Sequence, residues 1–132
     1  MSTSQDCPCG WRDLRGRPLA YAACCGRFLD EGLPAPDAEH LMRSRYSAFV
    51  LGRADYLLGS WHASTRPVSL DLGPGTKWLG LDVREHRPTD ADHAEVEFVA
   101  RSRVAGRGYR LHERSRFLRE GGRWFYVDGD MK

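Results

Sequence analysis

Apolar residues recur with a helical period in the first half of this chain and with a period of two in the second. Between Asp37 and Gly52 the side chains Met42, Tyr46, Phe49 and Val50 follow helical spacing, which predicts a helix running to about Leu51. Asp37 is the predicted N-cap, because its carboxylate can accept from the free N–H groups of a first turn, and Gly52 is the predicted stop. Arg43 and Arg45 flank the apolar stripe. A shorter helix is predicted from near Asp55, burying Leu57, Leu58 and Trp61. Upstream, Asp30 to Pro36 holds one glycine and two prolines and reads as a linker. Downstream, His62 to Lys77 is broken by Pro67, Gly73, Pro74 and Gly75 and reads as a long loop, a plain connection more readily than a cover over a pocket.

The period of two predicts half-buried antiparallel strands. Trp78 to His86 places Leu79, Leu81 and Val83 on one face. His93 to Val104 places Ala94, Val96, Phe98 and Ala100 on one face, against Glu95, Glu97, Arg101 and Arg103 on the other. Ala105-Gly106-Arg107-Gly108 reads as a hairpin turn. Tyr109 to Arg119 returns with Tyr109, Leu111, Glu113, Ser115 and Phe117 on one face and Arg110, His112, Arg114 and Arg116 on the other. Glu120-Gly121-Gly122 turns the chain into a last strand, Arg123 to Asp128. Helices followed by a meander of strands give an α+β fold, with a curved antiparallel sheet wrapped around the helices.

Composition narrows the function classes without choosing one. A chain of 132 residues with 41% hydrophobic content is one domain's length and suffices for a sizeable core. The formal charge of +2 is too small to mark a nucleic-acid binder, although 18 of the 20 basic residues are arginine. The opening MSTSQD is polar and no apolar run is long enough to span a bilayer, so a soluble cytoplasmic protein is expected, with no membrane partner.

All four cysteines fall within the 19 residues CPCGWRDLRGRPLAYAACC. Cys7 and Cys9 flank a proline, Cys24 and Cys25 are adjacent, and 14 residues separate the pairs, enough for the chain to fold back on itself. Four thiolates suit a tetrahedral zinc ion, and a set of four leaves no position for water, which makes such a site structural. Gly10 and Gly26 follow the two pairs, where freedom at positive φ would turn backbone N–H groups toward sulfur. Two other readings stand beside zinc: one of three disulfide pairings, disfavoured in a reducing cytoplasm, and four ordinary thiols, disfavoured by their clustering.

CPCG followed by YAACCGR resembles the SEC-C zinc knuckle, and DAEHLMRSRYSAFVLGRADYLLGSWH, WLGL, FVAR, ERSRFL and RWFYVDG are similar to the bacterial YchJ-like family along nearly the whole chain. The resemblance implies a SEC-C-like knuckle over residues 1–29, a linker over 30–36 and a nuclear-transport-factor-2-like (NTF2-like) α+β domain over 37–132. It implies no reaction, since the biochemical function of that family is uncharacterised. The interval between the cysteine pairs exceeds that of a typical SEC-C knuckle, with Trp11 in place of the usual serine. The chain ends at Lys132 without the second knuckle of many relatives, so one docking site fewer is expected.

The remaining chemistry centres on Glu113 and Ser115, which interrupt an inward apolar face. A buried carboxylate needs a partner, and Arg43 or Arg45 from the helix across the sheet is expected to supply it. Such a pair would simply fix the docking of the helix. Alternatively it sits in a cone-shaped pocket lined by Tyr46, Trp61, Trp78, Phe98, Trp124 and Tyr126, with Glu113, Ser115, His62 and an arginine as polar groups. There Glu113 would be a general base and Tyr46 or His62 a hydrogen-bond donor, by analogy with other domains of this fold. No catalytic triad, phosphate loop or HExxH pattern occurs. Arg101, Arg103, Arg110, Arg114 and Arg116 would stripe the outer sheet face, but Glu95 and Glu97 share it, so ion pairing is favoured over nucleic acid. The sequence therefore points to a zinc-binding adaptor with a protein partner, and next to a small-molecule binder or enzyme. RNA binding comes third, and the state is expected to be monomer or homodimer.

Overall fold

The computed structural model describes residues 5–73 and 75–132; the polar N-terminal tetrapeptide and Pro74 of the predicted loop lie outside them. A 3-10 turn at Tyr21–Ala23 leads into the short helix α1, Gly26–Leu29, followed by α2, Ala38–Leu51, and α3, Ala54–Gly59. Four strands follow: β1 Thr76–Pro88, β2 His93–Val104, β3 Arg107–Glu120 and β4 Arg123–Met131, paired antiparallel in chain order as one sheet. The fold is the expected α+β arrangement of a few helices against a curved antiparallel sheet.

The boundaries of α2 follow from local chemistry. Asp37 Oδ1 accepts from the backbone N–H of His40 at 2.8 Å, and Gly52 ends the helix in the left-handed region at φ 71°. Met42 and Tyr46 are buried and Phe49 half-buried, but Val50 is 38% exposed. In α3, Leu57 is fully buried and Leu58 half-buried; Trp61, expected in this helix, lies beyond its end and is half-buried. The predicted loop from His62 to Lys77 is a connection: Leu70 and Leu72 pack on the core, and none of its described residues lines the cone cavity.

Hairpin turns set the register of the sheet. Ala105 and Gly106, at φ 51° and 79°, form a two-residue turn between Val104 and Arg107, so the turn is shorter than the four-residue segment expected from sequence. Gly121 and Gly122 do the same between Glu120 and Arg123. Along β2 the predicted alternation holds, with Ala94, Val96, Phe98 and Ala100 all buried. In β1 it does not. A bulge between Trp78 and Gly80 leaves Leu79 without a partner and turns it outward, 47% exposed, while Trp78, Leu81 and Val83 face the core. The sequence pattern misses this, because an inserted residue shifts every later side chain to the other face.

Candidate metal centre and cone pocket

The four cysteines meet. Their Sγ atoms all lie within 4.8 Å of one another, Cys9 and Cys24 are 3.6 Å apart, and every one is a buried free thiol. Zinc–sulfur bonds of about 2.3 Å put tetrahedral sulfurs roughly 3.8 Å apart, so this cage matches the size of a four-thiolate metal site. Hydrogen bonds from Cys24 and then Cys25 pull the Cys7 and Cys9 thiols below the usual value, whereas Cys25 is pushed up, by Cys24 first. Cys24 is pushed up as well, so two thiols lean toward thiolate and two away from it, and a divalent cation would favour thiolate at all four.

The 14 residues between the pairs fold into a hairpin. Cys7 N–H donates to the Leu19 carbonyl at 2.8 Å and Leu19 N–H to the Trp11 carbonyl at 2.9 Å. At its tip Asp13 Oδ1 accepts from the N–H groups of Arg15 and Arg17, and Leu14 is fully exposed. The lengthened interval therefore leaves convergence of the cysteines intact. The two glycines act differently. Gly10 adopts φ 79° after Cys9, but Gly26 is helical, and there a Cβ would come within 2.8 Å of the Tyr21 carbonyl oxygen.

Arg43 belongs to this centre. Its Nη1 donates to the Cys9 carbonyl at 3.1 Å, its Nε pairs with Glu39 at 2.9 Å, and its guanidinium lies 4.5 Å from the Trp11 ring. Trp11 also packs on His40, at 4.6 Å between ring centroids, and Cys7 Sγ contacts the buried Ser47 hydroxyl at 3.7 Å. The knuckle is thereby fastened along α2 by side chains that no motif marks. His40 thus contributes through its ring, and its Nδ1 lies 2.7 Å from Asp37.

On the other side of α2, the sheet and helices form a cavity of about 260 Å³ that opens to solvent. Arg45, Tyr46, Trp61, Trp78, Phe98, Glu113, Ser115 and Tyr126 line it as expected, joined by Met42, Phe49, Ala100, Leu111 and Phe117. Three expected members lie elsewhere. Arg43 is in the knuckle seam, and Trp124 lines a second cleft, against α1 and the linker. His62 points outward, its Nδ1 2.7 Å from Ser64 and its Nε2 3.3 Å from Glu120. Outward is forced on His62, because Ser60–His62 runs parallel to β4, with His62 N–H donating to the Tyr126 carbonyl and Tyr126 N–H to the Ser60 carbonyl.

Glu113 forms no ion pair among the described residues, contrary to the expectation of an arginine partner. Its Oε2 accepts from the Ser115 hydroxyl at 2.6 Å and from the Tyr126 hydroxyl at 3.2 Å, so Tyr126 takes the donor role assigned to Tyr46 or His62. Opposite Ser115 stands Gly129, whose missing side chain makes room for the Glu113 carboxyl. Burial, and then Glu113, push the Tyr126 phenol up; burial pushes Tyr46 up to about 12. Arg45 is 6% exposed, donates through Nη1 to the Leu57 carbonyl and the Ser60 hydroxyl, and stacks on Trp61 and Tyr126. Burial lowers its pKa to about 10, which still leaves it charged at neutral pH.

The outer sheet face is divided. Arg114 pairs with Glu85, Glu95 and Glu97, and Arg116 with Asp128 and Asp130. His112 bonds Glu97 at 2.8 Å. Arg101, Arg103 and Arg110 make no ion pair among the described residues.

A family model described as the middle NTF2-like domain of YchJ matches residues 37–129. A UPF0225 protein of Polaromonas naphthalenivorans is 68% identical over 131 residues, covering 95% of this chain and 96% of its own. One of Bordetella pertussis is 54% identical over 134 residues, covering 99% and 96%. The solution structure of RPA3114, a SEC-C motif containing protein from Rhodopseudomonas palustris, superposes with a TM-score of 0.81 at 32% identity, covering 96% of this chain and 98% of that one. A crystal structure of a SEC-C motif containing protein from Psychrobacter arcticus gives 0.80 at 31% identity, with coverage of 97% and 83%. The fold is thus shared with solved chains that keep about a third of its residues, and the chain belongs to the YchJ-like UPF0225 family.

Proposed function

We propose that this chain is a zinc-stabilised binding module in which the metal is structural. The observation that carries this reading is the closed sulfur cage: four buried thiols within 4.8 Å of one another. Cys7, Cys9, Cys24 and Cys25 would hold the ion, which would cross-link the two ends of the knuckle hairpin and keep it seated on α2. With four protein ligands no coordination position remains for an activated water, so the metal supplies folding energy, not catalysis. The fastened hairpin, with Leu14 at its tip, is the element offered to a protein partner. The family's neighbours named for the SEC-C motif, and the absence of any membrane-crossing helix among the described residues, fit a module of this kind.

The test is metal content per chain in protein purified without added metal, combined with melting before and after a strong chelator. One zinc per chain and a lower melting temperature on chelation are expected. Metal-free protein that melts unchanged in chelator would overturn the reading. A second reading, small-molecule binding in the cone, is supported by the apolar cavity with Glu113 and Arg45 in its wall.

A further inference from the structure

Arg45 poses a problem that the fold does not solve. A guanidinium carries five N–H donors, and only Nη1 finds protein acceptors here, the Leu57 carbonyl at 2.8 Å and the Ser60 hydroxyl at 2.6 Å. Nε and Nη2 bond nothing among the described residues, although the side chain is more than nine-tenths buried. Among the described residues no carboxylate lies within ion-pair distance of it. None of the described buried side-chain polar atoms is both sealed and unpartnered, so these donors keep access to open space, and Arg45 lines the cavity. Glu113, the acid sharing that cavity, is engaged elsewhere: its Oε2 takes both the Ser115 and the Tyr126 hydroxyl. Stacking on Trp61 and Tyr126 answers part of the charge, but a buried cation without a paired carboxylate is costly, and a guanidinium's paired donors match one.

Size and surroundings restrict what can answer that charge. The cavity of about 260 Å³ exceeds the roughly 150 Å³ that accommodates benzene and falls below the ~300 Å³ at which drug-sized pockets begin. Its walls are aromatic and aliphatic: Tyr46, Phe49, Trp61, Trp78 and Phe98 dominate. We propose that the cone binds a small organic monoanion, a carboxylate on an apolar body about one ring in size, with its charge held by the free edge of the Arg45 guanidinium. This deepens the small-molecule reading of the cone and rests on it. The second carboxylate oxygen of Glu113, Oε1, accepts from no described residue, so a hydroxyl on the body of the anion would find an acceptor there.

The experiment is an NMR titration of the full chain with benzoate and with benzamide, its neutral counterpart, following the indole N–H signals of Trp61 and Trp78. Trp11 and Trp124, outside the cavity, serve as internal references. Benzoate is expected to move the two cavity signals with an affinity on the order of tenfold or more above that of benzamide, as a charged hydrogen bond requires. In Arg45→Met the preference should vanish while benzamide still binds. Equal affinities in the unaltered protein, or a benzoate preference that survives Arg45→Met, would overturn the proposal and leave the cone reading standing. If neither probe moves the cavity signals, both fall. Should Arg45→Met fail to fold, the ratio in the unaltered protein decides.

Discussion

A methyl group added at Gly129 tests the construction of the cone floor, because two general effects predict opposite signs there. The backbone of Gly129 lies outside the left-handed region, so alanine should be accepted and, by restricting the unfolded chain, stabilise by about 0.4–1 kcal/mol. Yet a Cβ at this position would meet the Glu113 carboxyl carbon at 2.8 Å and its Cγ at 2.9 Å, with Oε2 closer still. Glu113 must then either be compressed or swing away, giving up its bonds to Ser115 at 2.6 Å and Tyr126 at 3.2 Å. Overpacking typically costs about 1–3 kcal/mol, and hydrogen bonds to a charged group about 1.5–3 each. The collision wins, so Gly129→Ala should destabilise by roughly 1–3 kcal/mol, a fall in melting temperature of about 4–12 °C for a domain of this size. In a Glu113→Ala background, where the collision is gone, the same change should be neutral or stabilising. Differential scanning calorimetry on the four proteins of this cycle measures the coupling. An equal penalty in both backgrounds, or none in the unaltered protein, would refute the assigned packing of Glu113 on Gly129.

Two further outcomes concern the knuckle seam. Arg43→Ala removes the hydrogen bond to Cys9 and the stacking on Trp11; it should cost about 1–2 kcal/mol and speed metal release to a chromogenic chelator, and an unchanged release rate would deny the seam its role. At the N-terminus of α2, burial works against ionised Asp37, but hydrogen bonds from the His40 ring and backbone hold its pKa below the ordinary carboxylate value. A depressed folded-state pKa contributes stability that is present above the unfolded value of about 3.9 and is lost as pH falls below it. Asp37→Asn, which keeps the cap but cannot titrate, should therefore flatten the decline in stability below about pH 4, as measured by urea melts across that range.

Much of this architecture is written in local chemistry that a single sequence displays. Asp37 and Gly52 delimit α2 through groups only a few residues away, and the Ala105-Gly106 and Gly121-Gly122 turns impose the pairing of β2, β3 and β4. The cysteine cluster was legible for another reason: four thiols in 19 residues of chain leave few arrangements other than convergence. What the pattern left open depended on how separate elements dock. Arg43 and Arg45 are equivalent along the chain, but at 3.6 residues per turn two positions apart point to nearly opposite sides. Docking of α2 between knuckle and sheet therefore sends Arg43 to the Cys9 carbonyl and Arg45 into the cone. The bulge at Leu79, the outward turn of His62, and the choice of Tyr126 as a partner of Glu113 were likewise settled between elements. Periodicity reports which face of an element is apolar. Which polar group on that face meets which other is decided only when helix, knuckle and sheet close on one core, since burial then makes each unpaired group costly.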